Sequence, residues 1–294
     1  MKTQTFTQGQ KGRLVSGISL ALISMLSFAG HGYAQNVGLN SDGSTATFNL
    51  GGVTGTGLIG MNSWMVDNDP GVNQLNQQWF YYSINGGAVQ SIDQLGAASL
   101  SGVSANGFTA TYQNSAFAVQ ISYSLQGSGS GSGGGDLNES VNVLNLSSGN
   151  INVNFYQYGN FNLLQNNMNV VNIGGSAGAY SFISQTTSVG GNGIQETINQ
   201  PYANYAEAGS PTGVMGDITH GNQLNGTATF GPADVAWGLE WNNTVTPFNG
   251  DGGNVWNVLQ DQNMSIQPVP EPSSIALISF GLAACGLVRR RWSS

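Results

Sequence analysis

Along most of this chain, apolar and polar residues alternate one by one. Phe117, Val119, Ile121, Tyr123 and Leu125 share one parity, while Ala118, Gln120, Ser122 and Ser124 share the other. Ile151, Val153 and Phe155 alternate with Asn152, Asn154 and Tyr156, and Trp237, Leu239 and Trp241 alternate with Gly238 and Glu240. A period of two sends successive side chains to opposite faces, so these stretches read as half-buried antiparallel strands. The pattern predicts further strands over 45–50, 58–66, 78–84, 107–113, 139–146, 180–187, 194–199, 226–230 and 256–267. Asn-Gly pairs begin at Asn85, Asn106, Asn192, Asn225 and Asn249, and this dipeptide favours tight hairpin turns. Helix is disfavoured by the 44 glycines, each costing about 1 kcal/mol relative to alanine inside a helix. No stretch of the body shows an apolar stripe at helical spacing. The expected fold class is all-β, an antiparallel β-sandwich, with a barrel or super-sandwich as the alternative. Residues 127–135 are only Gly and Ser and lie between two strong strands, which marks a flexible hairpin loop rather than a domain boundary.

Both ends break the alternation. Lys2, Lys11 and Arg13 precede or open an apolar run from Leu14 to Ala29, and Gly32-Tyr33-Ala34 then supplies small residues where a signal peptidase reads. Residues 1–34 are therefore expected to leave as a signal peptide, cut between Ala34 and Gln35. At the other end, Pro268, Pro270 and Pro272 alternate with single residues that each following proline biases toward extended backbone. An apolar run over 275–288 comes next, then Arg289-Arg290-Arg291. As a helix this run spans about 21 Å against a hydrocarbon core of ~30 Å. Trp292 and the arginines at the interface make up part of the difference, so it reads as a short transmembrane helix. The arginines place that end in the cytoplasm and the body outside. The expected organisation is thus a leader (1–34), one exported β domain (35–267) and a C-terminal segment (268–294).

That C-terminal segment resembles a known signal. Val269-Pro270-Glu271-Pro272, the apolar run and Arg289-Arg290-Arg291 together resemble the PEP-CTERM sorting signal of exported bacterial proteins. The resemblance implies a membrane-anchored precursor, processing by an exosortase-type peptidase, and delivery to the cell surface or an exopolysaccharide matrix. A second resemblance rests on scattered blocks. Gln78-Trp79-Phe80-Tyr81-Tyr82, Asp136-Leu137-Asn138-Glu139, Phe155-Tyr156-Gln157-Tyr158 and Trp237-Gly238-Leu239-Glu240-Trp241 are similar to ectodomains carried by such sorted proteins. It implies a β-rich exported domain and no particular activity.

Charge narrows the chemistry. All 6 basic residues lie in the two end segments, so between Gln35 and Val269 there is no Lys or Arg, against 13 acidic residues. Such a body has no fixed cation to neutralise nucleic-acid phosphates, no lysine for a Schiff base and no arginine fork for carboxylates. The only cysteine, Cys285, lies in the C-terminal apolar run, so the body has neither a disulfide nor a thiol nucleophile. His220 is its only histidine once the leader is removed, in a loop-like segment, which argues against a typical zinc site or a Ser-His-Asp triad.

Three chemistries stay open. A glycosidase needs only two carboxylates flanking a cleft, with Glu139, Glu196, Glu207, Asp234 and Glu240 as candidates, although each reads as a solvated strand-face acid. Calcium needs only oxygen ligands, which the turns around Asp67, Asp69 and Asp251 offer without any EF-hand spacing. Sugar binding would use aromatic rings beside amides, with Trp79, Tyr81, Trp237 and Trp241 as candidates. No cofactor is expected. The reading as a whole is a non-enzymatic surface or matrix protein, with a carbohydrate-binding module, then a secreted glycan hydrolase, as alternatives.

Overall fold

The computed structural model describes residues 35–51, 58–67, 71–188, 190–247 and 254–267. The leader with Ala34, the tail with its sorting residues, Asp69 and Asp251 lie outside the described residues. In chain order the strands are β1 (Asn36–Ser41), β2 (Ser44–Asn49), β3 (Gly60–Val66), β4 (Leu75–Ile84), β5 (Gln90–Ser91), β6 (Ser99–Ser101), β7 (Gly107–Gln113), β8 (Phe117–Gly127) and β9 (Gly134–Asn145). They continue as β10 (Ile151–Phe161), β11 (Asn169–Ser176), β12 (Ala179–Thr187), β13 (Gly193–Gln200), β14 (Tyr205–Gly209), β15 (Thr229–Ala233), β16 (Ala236–Val245) and β17 (Val255–Ser265). Among the described residues one α-helix, α1 (Pro211–His220), joins β14 to β15.

The strands form two wholly antiparallel sheets. The eight-stranded sheet runs β1-β2-β3-β4-β10-β16-β14, with β5 added on β4. The nine-stranded sheet runs β15-β11-β12-β13-β17-β9-β8-β7-β6. Neither closes on itself, so the architecture is a sandwich and not a barrel. Its inner faces are the apolar parities of the sequence. Phe155 of β10 stacks on Phe80 at 5.5 Å and meets Trp256 of the opposite sheet edge-on at 6.1 Å. Tyr82 stacks on Phe117 across the layers at 5.3 Å, and Phe161 stacks on Trp237 at 6.4 Å within one sheet. Each such ring removes about 1.5–3 kcal/mol worth of apolar surface from water. In a chain without disulfides this burial is the main adhesive between the layers.

Two expectations need correction. The body does contain a helix. Ser210 caps α1 by accepting from the Gly213 N–H at 3.2 Å, Pro211 occupies the first turn, and Gly221 closes it at φ 70°. Those three residues are the start and stop signals of a helix. The apolar stripe was too short to register, since only Val214 and Ile218 are buried. The helix lies on the outer face of the eight-stranded sheet, where Gly238 lets it approach. A Cβ there would sit 3.0 Å from Val214 and 3.2 Å from Leu224. The Gly/Ser stretch is indeed the β8–β9 hairpin loop, but it is tied down. Asp67, at the end of β3, accepts from the N–H groups of Gly131 and of Gly133, the latter at 3.3 Å. Gly131 and Gly133 both have left-handed φ (75° and 67°), which lets two N–H groups, on either side of Ser132, reach one carboxylate.

Candidate functional site

The four rings expected to contact sugar are all buried. Trp237 and Trp241 are on the inner parity of β16, and the Trp241 Nε1–H donates to the Pro201 carbonyl at 3.0 Å. Trp79 packs edge-on against Tyr112 at 5.9 Å and donates its indole N–H to Ser91 Oγ at 2.7 Å. Tyr81 lies near Tyr158 and Asp93, and burial pushes its hydroxyl well above the usual tyrosine range. None of the four presents a ring face to solvent. Asp67, one of the three calcium candidates, spends its carboxylate on the Gly131 and Gly133 amides. His220 ends α1 rather than sitting in a loop. It is exposed, with Nδ1 2.6 Å from the Gly216 carbonyl.

The acids depart furthest from expectation. Glu139 of β9 and Glu196 of β13 are enclosed between the sheets instead of facing water. Four glutamines surround them, Gln78 of β4, Gln157 of β10, and Gln260 and Gln262 of β17, all buried. Gln78 Nε2 donates to both Glu139 oxygens at 3.0 Å, and Gln157 Nε2 reaches Glu139 Oε2 at 3.5 Å. The Gln260 amide donates to Gln157 Oε1, and Gln262 Nε2 donates to Glu196 Oε2 at 3.0 Å. Glu196 lies near enough to Glu139 to feel its charge, so the six side chains form one cluster, and the Gln78, Gln157 and Gln260 bonds carry it across the two layers. Burial raises the Glu139 carboxyl to about 8, with the Gln78 bond pulling the other way. Burial also lifts Glu196 well above the carboxylate range, and the neighbouring Glu139 adds to the rise.

Parity could have revealed this set. Glu139 is in phase with Leu137, Val141 and Val143, Glu196 with Ile194 and Ile198, and Gln157 with Val153 and Phe155. A polar residue on the apolar parity belongs in the core however hydrophilic it is.

The remaining acids lie outside the layers. Glu207 of β14 and Glu240 of β16 share the outer face of the eight-stranded sheet, under α1 and the segment after it. The Leu224 N–H donates to Glu240 Oε2 at 3.1 Å, and burial raises the Glu240 carboxyl. Glu207 is raised by burial and then by Asp217 of α1, with the nearby Asn225 pulling the other way. On the outer face of the nine-stranded sheet, Asp136 and Asp261 share a hydrogen bond. Partial burial and that partner raise Asp136 to about 6. Beside them runs a groove of about 260 Å³ whose lining includes Ser122, Ser124, Asn138, Ser140, Glu139 and Gln260.

Set against known proteins, residues 268–291 match the model of the PEP-CTERM protein-sorting motif. The chain carries a PEP-CTERM sorting signal. It is therefore an exported, sorted protein, and the motif implies processing by an exosortase. No curated protein matches the chain in sequence. Among solved structures, a bacterial glucoamylase complexed with acarbose aligns over 85% of this chain and 36% of its own, at 8% identity and a TM-score of 0.51. This chain thus spans about a third of that enzyme's length, and the likeness is one of fold alone. A putative aldose 1-epimerase from Escherichia coli K12 aligns over 79% of this chain and 99% of its own, at 9% identity and a TM-score of 0.44. A galactose mutarotase-like protein from Lactobacillus casei aligns over 78% and 100%, at 10% identity and a TM-score of 0.45. Those two scores are too low to support an argument.

Proposed function

We propose that this PEP-CTERM protein is a non-enzymatic component of the cell surface or exopolysaccharide matrix, released from a membrane-anchored precursor by cutting near Pro270–Pro272. The observation that supports it is where the acids are used. Glu139 ties the two layers together through Gln78 and Gln157, Glu196 bonds Gln262 inside the sandwich, and Glu240 holds the segment after α1 against the sheet. A glycosidase would instead need a carboxylate pair facing an open cleft. Fractionation of the native host tests this reading. The full-length chain should reach the surface or matrix fraction, and a chain lacking residues 268–294 should not. Sugar release from matrix polysaccharide that is lost on Glu207→Gln or Glu240→Gln would overturn it.

A second reading, carbohydrate binding, is favoured by one feature. On the outer face of the eight-stranded sheet Asn154 pairs with Asn242 and Asn152 with Thr244, a row of amides and a hydroxyl open to solvent beyond the end of α1. Thr244 Oγ1 donates to Asn152 Oδ1 at 2.8 Å, which orients the row. Polysaccharide pull-down should then weaken at least tenfold in an Asn154→Ala, Asn242→Ala double variant that still folds. Unchanged retention would remove this reading.

A further inference from the structure

The buried set at the centre of the sandwich has an imbalance that its own residues cannot correct. Two carboxyls are enclosed, and no lysine or arginine exists between Gln35 and Val269 to face them. His220 is exposed at the end of α1 and is not part of the set. The glutamine nitrogens are already directed at carboxylates or at a neighbouring amide. Gln78 Oε1, Glu196 Oε1, Gln260 Oε1 and Gln262 Oε1 are left buried without a hydrogen-bond partner. Every unmatched atom of the set is thus an oxygen with a free lone pair. Leaving such buried atoms unpaired costs about 1–3 kcal/mol each.

Two protons, one per carboxyl, would supply two donors for four oxygens. One cation can accept lone pairs from several oxygens at once and also offsets the negative charge. The donor set is oxygen only, carboxylate and amide carbonyl together, which is what calcium takes. Magnesium keeps most of its waters, and zinc favours nitrogen and sulfur. Among the described residues no three of His, Cys, Asp and Glu gather to hold a metal, so amide oxygens would have to complete the shell.

We propose that the sandwich binds one calcium-type cation between Glu139 and Glu196, with the side-chain oxygens of Gln78, Gln260 and Gln262 as further ligands. The ion cross-links the eight-stranded and nine-stranded sheets through β4, β9, β13 and β17. An exported chain that lacks disulfides gains there a staple fastened only outside the cell.

The test uses the full-length chain, purified in detergent and stripped with chelator. Calcium chloride should raise the Tm by roughly 5–10 °C at about 100 times its dissociation constant. Magnesium should do much less. Terbium, a calcium surrogate, should luminesce on indole excitation, because the core around the set holds tryptophans, and calcium should quench that signal by displacement. Glu139→Gln and Glu196→Gln, each isosteric and neutral, should each abolish both responses. If one variant fails to fold, the other decides. A wild-type chain with neither a calcium-dependent Tm nor terbium luminescence overturns the proposal. So does a calcium response that persists in the folded variants, which would place the ion elsewhere, for example at Asp136 and Asp261.

Discussion

At Phe155 the two sheets meet through aromatic rings, while two residues further along the same strand, at Gln157, they meet through amides and carboxyls. The neighbours of Phe155 are Phe80, Trp241 and Trp256, and those of Gln157 are Glu139, Glu196 and Gln260. Ring contacts are non-directional, so they drive the layers together without much choice of alignment. The polar bonds are directional and exist in one alignment only. A one-residue slip of β9 would turn Glu139 to solvent and Asn138 inward. The aromatic region therefore supplies adhesion, and the polar belt selects the register in which adhesion occurs.

This division can be broken from either side. Phe155→Ala removes a ring packed on three others and should lower stability by about 3–5 kcal/mol in urea denaturation. A loss under 1 kcal/mol would mean that adhesion lies elsewhere. Gln157→Leu keeps the volume and deletes the amide that bridges Glu139 and Gln260. It should cost about 1–3 kcal/mol, because the partners stay buried and unmatched. An unchanged midpoint would show the belt to be passive. The smallest effect concerns a polar pair outside the layers. Asp136 titrates at about 6 in the fold against 3.8 for a free side chain. Because the folded value is raised, its stabilisation is complete below the unfolded value and is lost as pH rises through the folded one. Tm should therefore drift down between about pH 4 and 7, and Asp261→Asn should flatten that part of the drift. An identical slope in the variant would exclude the pair as its source.

Much of this was legible in the chain. The strands predicted over 107–113 and 180–187 fall on β7 and β12, and Glu240 lies opposite Trp237 and Trp241 as the parity requires. Hairpin strands are governed by local alternation and turn chemistry, which a sequence displays. The short edge strands β6 and β14 escaped because a few residues carry no clear period, and α1 escaped because its buried stripe is only Val214 and Ile218. The site was less legible. The run Trp79-Phe80-Tyr81-Tyr82 suggested a ring platform, yet both faces of β4 are covered, one by the opposite sheet and one by residues 91–95 and their neighbours. Which outer face a distant segment covers is decided by topology, and no window of residues records it.

Topology also places β17 in the middle of its sheet, bonded to β13 on one side and along eleven positions to β9 on the other. This last of the described strands is the one whose end leads toward the sorting motif. Until it emerges from the membrane, the nine-stranded sheet exists only as two separate pieces, so export must be essentially complete before the body can consolidate. Once it is in place, any pull transmitted from the tail loads two ladders in shear along their length rather than peeling one strand from an edge. The membrane anchor proposed above would thus pull on the strand best able to bear it.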